Sequence, residues 1–298
     1  MNCERNMIDA VINIRSKPYQ ALVAIKSLLK HSGKWIDNLY VIFEREYPFS
    51  ESCEWILEEL PKDKIINYTT KHYLMCRVDP NRLDEEDYRL SVMYQYAFEN
   101  SDSDYLFTFH TDVLFTGDII GEMAKRIGNK AGVGSIGMCW CCPAKKAGVC
   151  DSLKFEHFNP KFEEAVKIVS ENKSPRMKVE DIDEDFPMPF TECRLNEFCC
   201  LVNLKETRTS VKPAGDGMPF GVTRPGHDTA SDWFRDLILR GFKFENWYAG
   251  DRCAGYEGFA VHAPITHDPS MGNSVNANAE EYDRVEKLAK KYYESELK

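Results

Sequence analysis

Apolar and polar positions alternate along the first half of the chain in two periods. In DAVINIRSKPYQALVAIKSLLKHSG, Val11, Ile12 and Ile14 form a continuous apolar run suited to a buried strand. Ala21, Leu22, Ile25, Leu28 and Leu29 then recur at helical spacing, behind Pro18 in the first turn and ahead of Gly33 as a cap. NLYVIFERE predicts a second strand, and SESCEWILEELP a short helix stopped by Pro61. KIINYTT predicts a third strand, EEDYRLSVMYQYAFENSDSD one helix, and DYLFTFHTDVLF one further strand. A helix over GDIIGEMAKRIG follows, and then the apolar run AGVGSIGMCW.

Alternation of apolar strands with helices implies an α/β fold with a mostly parallel sheet and helices on both faces. From 143 to 195 the pattern breaks into a charged stretch, expected to be an irregular, solvated elaboration. NEFCCLVNL predicts another strand, KPAGDGMPFGVTRPG a Gly/Pro-rich loop, and HDTASDWFRDLILRGF a helix. The chain closes on an amphipathic helix with Tyr282, Val285, Leu288, Ala289 and Tyr292 on its apolar face. The expected organisation is a single domain over 1–298: a ligand-binding half at 1–140, a second half at 141–275, and a C-terminal helix at 276–298.

Composition narrows the function classes. The 298 residues carry 38 Lys+Arg against 48 Asp+Glu, a formal charge of −10 that disfavours nucleic acid as a partner. No run approaches the roughly 20 apolar residues of a membrane span, and MNCERNMIDAVINI lacks the layout of a secretory signal. The eleven cysteines are then read as reduced thiols in a cytoplasmic setting. Cys139, Cys141, Cys142 and Cys150 cluster, but their spacing does not repeat the paired pattern of a structural zinc site.

Ligands of open α/β sheets gather beyond the carboxyl ends of the strands. Three polar spots fall there: Arg15-Ser16 after the first strand, Glu44-Arg45 after the second, and His110-Thr111-Asp112 where an apolar strand abruptly ends. No GxGxxG follows the first strand and no GxxxxGK[ST] occurs, so the usual dinucleotide and P-loop sites are excluded. Asp112 as a simple turn cap before Gly117-Asp118 is the bland alternative.

The strand, short polar loop and helix at the N-terminus, the acid ending the second strand and the triplet ending the later one resemble the nucleotide-sugar-dependent glycosyltransferases of the GT-A fold, especially the family 2-like group. His110-Thr111-Asp112 stands where that family has Asp-x-Asp. The resemblance covers the first 140 residues well, 195–270 more loosely and 143–195 not at all. It implies transfer of a sugar from a nucleotide-sugar donor, a UDP-sugar by default, to a glycan or other hydroxyl acceptor. Asp112 would then ligate Mn²⁺ or Mg²⁺, with His110 in the first acidic position and a late histidine, His267 or else His262, completing the metal site. By the same resemblance Arg15, Ser16, Glu44, Arg89, His110 and Thr111 line the nucleotide pocket. Asp228, at the start of a helix, is the expected general base of an inverting single displacement, with Asp232 in reserve. Two alternatives stand beside it: a non-catalytic nucleotide- or glycan-binding protein, and a sugar nucleotidyltransferase, for which Arg15-Ser16-Lys17-Pro18 is a poor substitute for a Gly-rich loop.

Overall fold

The computed structural model describes residues 8–44, 53–74, 77–137, 141–185, 187–188, 193–250, 254–262 and 279–298. Its strands are β1 (Ile8–Ile14), β2 (Ile36–Phe43), β3 (Ile65–Thr69), β4 (Tyr105–Phe109), β5 (Val113–Phe115), β6 (Gly132–Ile136), β7 (Leu195–Asn203), β8 (Phe244–Asn246), β9 (Gly255–Tyr256) and β10 (Ala260–His262). The α-helices are α1 (Pro18–Ser32), α2 (Glu86–Arg89), α3 (Gln95–Asn100), α4 (Ile119–Ile127), α5 (Pro143–Lys146), α6 (Phe162–Glu171), α7 (Leu204–Thr207), α8 (Ser231–Leu239) and α9 (Ala279–Tyr292).

Seven strands form one sheet in the order β3-β2-β1-β4-β7-β6-β8, and β5-β10-β9 form a second, three-stranded sheet. The first four pair in parallel, and β7 alone runs antiparallel to both its neighbours, β4 and β6. Successive side chains of a strand point to opposite faces. Accordingly Ile8, Ala10, Ile12 and Ile14 of β1 pack with Ala21, Leu22, Ile25 and Leu28 of α1 and Ile120 and Met123 of α4. Val11 faces the other way, into a cluster with Phe98 of α3 and Trp233, Phe234 and Leu237 of α8. Helices therefore cover both faces, as the apolar strands require.

Three expectations change. The stretch 85–104 is not one helix but contains two short ones, broken where Tyr94 adopts a left-handed φ of 64°. DYLFTFHTDVLF is not one strand: β4 ends at Phe109, and β5 restarts at Val113 in the other sheet. The segment after 143 is more ordered than its charge implied, because Ala165 and Val169 of α6 bury their side chains against Met177 and Ile182.

The N-terminus of α1 is capped from a distance. Its preceding residue, Lys17, offers no side-chain cap. The Glu286 carboxylate on α9 instead accepts from the amides of Tyr19 (2.9 Å) and Gln20 (3.2 Å), two of the donors that the first helical turn leaves without a partner. Burial raises the Glu286 carboxyl from 4.5 to about 6, against the opposing pull of those amides. A carboxyl that titrates higher folded than unfolded contributes stability that is full below its unfolded value and lost as pH rises through about 6. The stability of the wild type relative to Glu286→Gln is therefore expected to fall by on the order of 2 kcal/mol from about pH 4.5 to above pH 6. Urea unfolding of both proteins across that range checks this, and a difference independent of pH would contradict it.

Candidate metal and acid-network site

Strand register brings the polar groups together. Ile12 of β1 lies opposite Phe109 of β4, so the loop at Arg15–Lys17 runs beside the triplet at the same end of the sheet. The His110 amide donates to the Phe198 carbonyl (3.0 Å), which sets the imidazole next to Glu197 of β7. In the small sheet His262 pairs with Val113, which places it one residue from Asp112. The change from one sheet to the other is why the apolar run is interrupted at 110–112: those residues link β4 of the large sheet to β5 of the small one.

The resulting cluster is compact. His110, Asp112 and His262 each offer a ligand atom, and these atoms lie within 4.8 Å of one another. Asp112 Oδ1 is 3.8 Å from His110 Nδ1 and 3.5 Å from His262 Nε2. The His262 ring stacks on Phe198 with centroids 4.5 Å apart, which fixes its plane. Burial pushes the Asp112 carboxyl up, but the imidazoles of His262 and His110 and the Lys17 ammonium outweigh it and hold the group well below the usual carboxylate range. Asp112 is thus an anion at neutral pH. Nor is it a helix cap, since Asp118 fills that role for α4 by accepting from the Gly121 amide.

A second set of charges continues from His110. Its Nε2 is 3.5 Å from Glu197 Oε1, and the other Glu197 oxygen is paired with Arg194 Nη1. Arg194 Nη2 reaches Asp228 at 3.3 Å, and Asp228 also meets Arg176 Nη1 at 3.0 Å. Burial pushes both carboxyls up, yet both end lowered: Glu197 chiefly by the Arg194 charge, Asp228 by Arg194 and Arg176. An acid–base chain therefore runs from His262 through Asp112, His110, Glu197 and Arg194 to Asp228 and Arg176.

The expected site residues fare differently. Asp112, His110 and Asp228 belong to this one chain, and Thr111 lies in the turn between β4 and β5. Arg15 and Glu44 sit at the ends of β1 and β2 and pair with each other at 2.9 Å, with Ser16 half-buried beside them. Arg89 serves elsewhere: it forms a two-pronged pair with Glu99 (2.8 and 3.1 Å) and donates to the Leu83 carbonyl (3.1 Å), a buried tie between helical turns. His267 lies outside the described residues, and His262, its alternative, is the histidine at the cluster. Asp232 belongs to another network, bonded to His227 at 2.6 Å and to Arg224. Among the described residues no cysteine joins a metal-binding group. Cys141, Cys142, Cys150, Cys193, Cys199 and Cys200 are buried, and burial pushes Cys200 up to about 12, which keeps it protonated. Cys139 lies outside the described residues.

Glu197, Arg194 and Arg176 were not anticipated. A signal existed for the first: ionisable side chains are rarely fully buried without a partner, and Glu197 stands in a strand otherwise apolar enough to be covered on both faces.

No protein-family model and no curated protein sequence matches the chain. Among solved structures it is similar to mouse xyloside xylosyltransferase 1 in its apo form, with 16% identity, 81% of this chain and 85% of that chain covered, and a TM-score of 0.45. The galactosyltransferase LgtC in complex with donor and acceptor sugar analogues shares 14% identity over 95% of each chain, with a TM-score of 0.43. The mannosyltransferase PcManGT from Pyrobaculum calidifontis, in complex with GDP-Man and Mn²⁺, shares 7% identity over 99% of this chain and 72% of that one, with a TM-score of 0.48. No helix among the described residues is long and apolar enough to cross a membrane.

Proposed function

We propose that this protein is a glycosyltransferase that moves a sugar from a nucleoside diphosphate donor, a UDP-sugar by default, to an acceptor hydroxyl, with a divalent cation held by His110, Asp112 and His262. The observation that carries this reading is the convergence of those three side chains at the carboxyl end of β4, within 4.8 Å of one another. That edge of an α/β sheet is where ligands bind. The donor set fits a first-row cation: two imidazoles and one carboxylate suit Mn²⁺ better than Mg²⁺, which prefers oxygen ligands throughout. When bound, such a cation neutralises the charge that develops on a departing diphosphate.

The chain's own groups supply the rest. Lys17 has a left-handed φ of 59° at the start of α1, and its charge acts on Asp112. A residue other than glycine held there is strained, as side chains at ligand clamps often are. The Arg15–Lys17 loop thus adds positive charge on the β1 side of the cluster. Asp228 is the base carried over from the sequence. An acid held by two guanidiniums is a weak proton acceptor, so its use as a base requires an acceptor to displace Arg176, the more exposed of the two (34% against 7%). Inversion of the anomeric carbon is the outcome tied to that base, and the configuration of the product, read by NMR, tests it.

The clamped Asp228 also favours a second reading, a nucleotide- or glycan-binding protein that does not turn over. A sugar nucleotidyltransferase has less support, because the β1–α1 loop contains no glycine. Incubation with UDP-, GDP- and dTDP-sugars under Mn²⁺, Mg²⁺ or EDTA, followed by assay of released nucleoside diphosphate and transferred sugar, separates these. Release is expected with Mn²⁺, more slowly with Mg²⁺ at equal concentration, and not with EDTA. Nucleotide binding without release from any donor would leave the binding reading standing instead.

A further inference from the structure

Resting on that metal-site reading, we infer that Glu197 is a positioning residue for the cation: it selects the ring tautomer of His110 that presents a lone pair to Asp112's side of the site. The two nitrogens of His110 face different acids. Nδ1 looks to Asp112 at 3.8 Å and Nε2 to Glu197 at 3.5 Å. A neutral imidazole carries its proton on one nitrogen and offers the other as ligand, and the hydrogen bond made by one decides what the other can do. Both acids can only accept, but Glu197 is the nearer and is fixed in place by Arg194, so it takes the ring proton at Nε2 and leaves Nδ1, on the Asp112 side, as the donor atom for a cation.

Glu197 is well built for this. Its side chain is 4% exposed, and its second oxygen is held by Arg194, which also donates to the Thr229 carbonyl at 3.1 Å. The carboxylate is therefore held in one place facing His110. The same arginine reaches Asp228 at 3.3 Å, so the orientation of a metal ligand is tied mechanically to the acid on the acceptor side. Acids placed behind metal-bound histidines typically govern metal affinity by 10- to 100-fold.

Two measurements test this. In metal-free wild-type protein, long-range ¹H–¹⁵N spectra of the imidazoles are expected to show His110 as the Nε2–H tautomer. Titration with Mn²⁺ followed by EPR is expected to give Glu197→Gln a dissociation constant about 10- to 100-fold higher than wild type, with His110 shifted to a mixture of tautomers, because a carboxamide can donate as well as accept. Wild type that fails to bind Mn²⁺ would remove the metal-site reading and this role together. Tight wild-type binding with unchanged affinity and tautomer in Glu197→Gln would overturn the role of Glu197 alone. Should that variant not fold, an Nδ1–H tautomer in the wild type would overturn it equally.

Discussion

Asp112→Asn is expected to lower kcat/KM for sugar transfer by about 10³-fold at a fixed Mn²⁺ concentration that saturates the wild type, within the range found when a single group stabilising developing charge is removed. The substitution keeps the shape and removes the one anion of the cluster. Two imidazoles remain, and they hold a hard divalent cation far less well than a set containing a carboxylate. The effect should lie mainly in kcat, because the charge the cation offsets is largest once the bond to the diphosphate is breaking. His262→Ala should act in the same direction with a smaller loss, since His110 and Asp112 still provide two ligands. Steady-state kinetics under a fixed excess of Mn²⁺ make the comparison. Turnover of Asp112→Asn within a few-fold of wild type would remove Asp112 from the reaction.

Arg194→Met is expected to be the most destabilising single change around the site. Arg194 is 7% exposed and stands between two carboxylates, Glu197 and Asp228, whose side chains are 4% and 19% exposed. Methionine fills most of the volume but leaves two acids close together without their shared cation. Loss of one partner from a buried ion pair costs about 3–5 kcal/mol, which corresponds to a fall in Tm on the order of 10 °C for a chain of this size. Lys154→Ala serves as the control: its pair with Asp151 lies on the surface and its loss should leave Tm unchanged. Calorimetry on the three proteins decides, and equal Tm values for wild type and Arg194→Met would show that the network carries no stability.

Most of the sheet could be read from the chain because its signal is local. Ile8–Ile14, Ile36–Phe43 and Leu195–Asn203 are apolar runs buried along nearly their whole length, and such runs have little choice but to be inner strands. The helix expected at 85–104 failed for a reason the pattern does not contain: Met93 is approached so closely by the backbone at Gly221 that a Cβ there would sit 1.7 Å from its carbonyl oxygen. Such a contact, between residues far apart in sequence, fixes where the helix breaks. The split of β4 from β5 was hidden likewise, since both flanks of the triplet are apolar and only the partners differ: β1 and β7 for one, β10 for the other.

The site was half visible. Asp112 and His110 stood out as polar groups closing an apolar strand, and Asp228 as an acid before a helix. His262 and His267 could not be separated by sequence, because what places a histidine beside Asp112 is the pairing of β10 with β5. Arg194 and Arg176 carry no pattern of their own; both meet Asp228, a carboxylate contributed by another part of the chain. Arg89, expected at the nucleotide pocket, is engaged by an ion pair with Glu99.

The central claim is that His110, Asp112 and His262 hold a cation which in turn meets a diphosphate. Pulsed EPR of the Mn²⁺-loaded protein, before and after addition of UDP, examines both halves in one sample. Couplings from two imidazole nitrogens, joined by a ³¹P coupling once UDP is present, are the expected result. Mn²⁺ without nitrogen couplings, or UDP bound equally well with no ³¹P coupling to the metal, would contradict it.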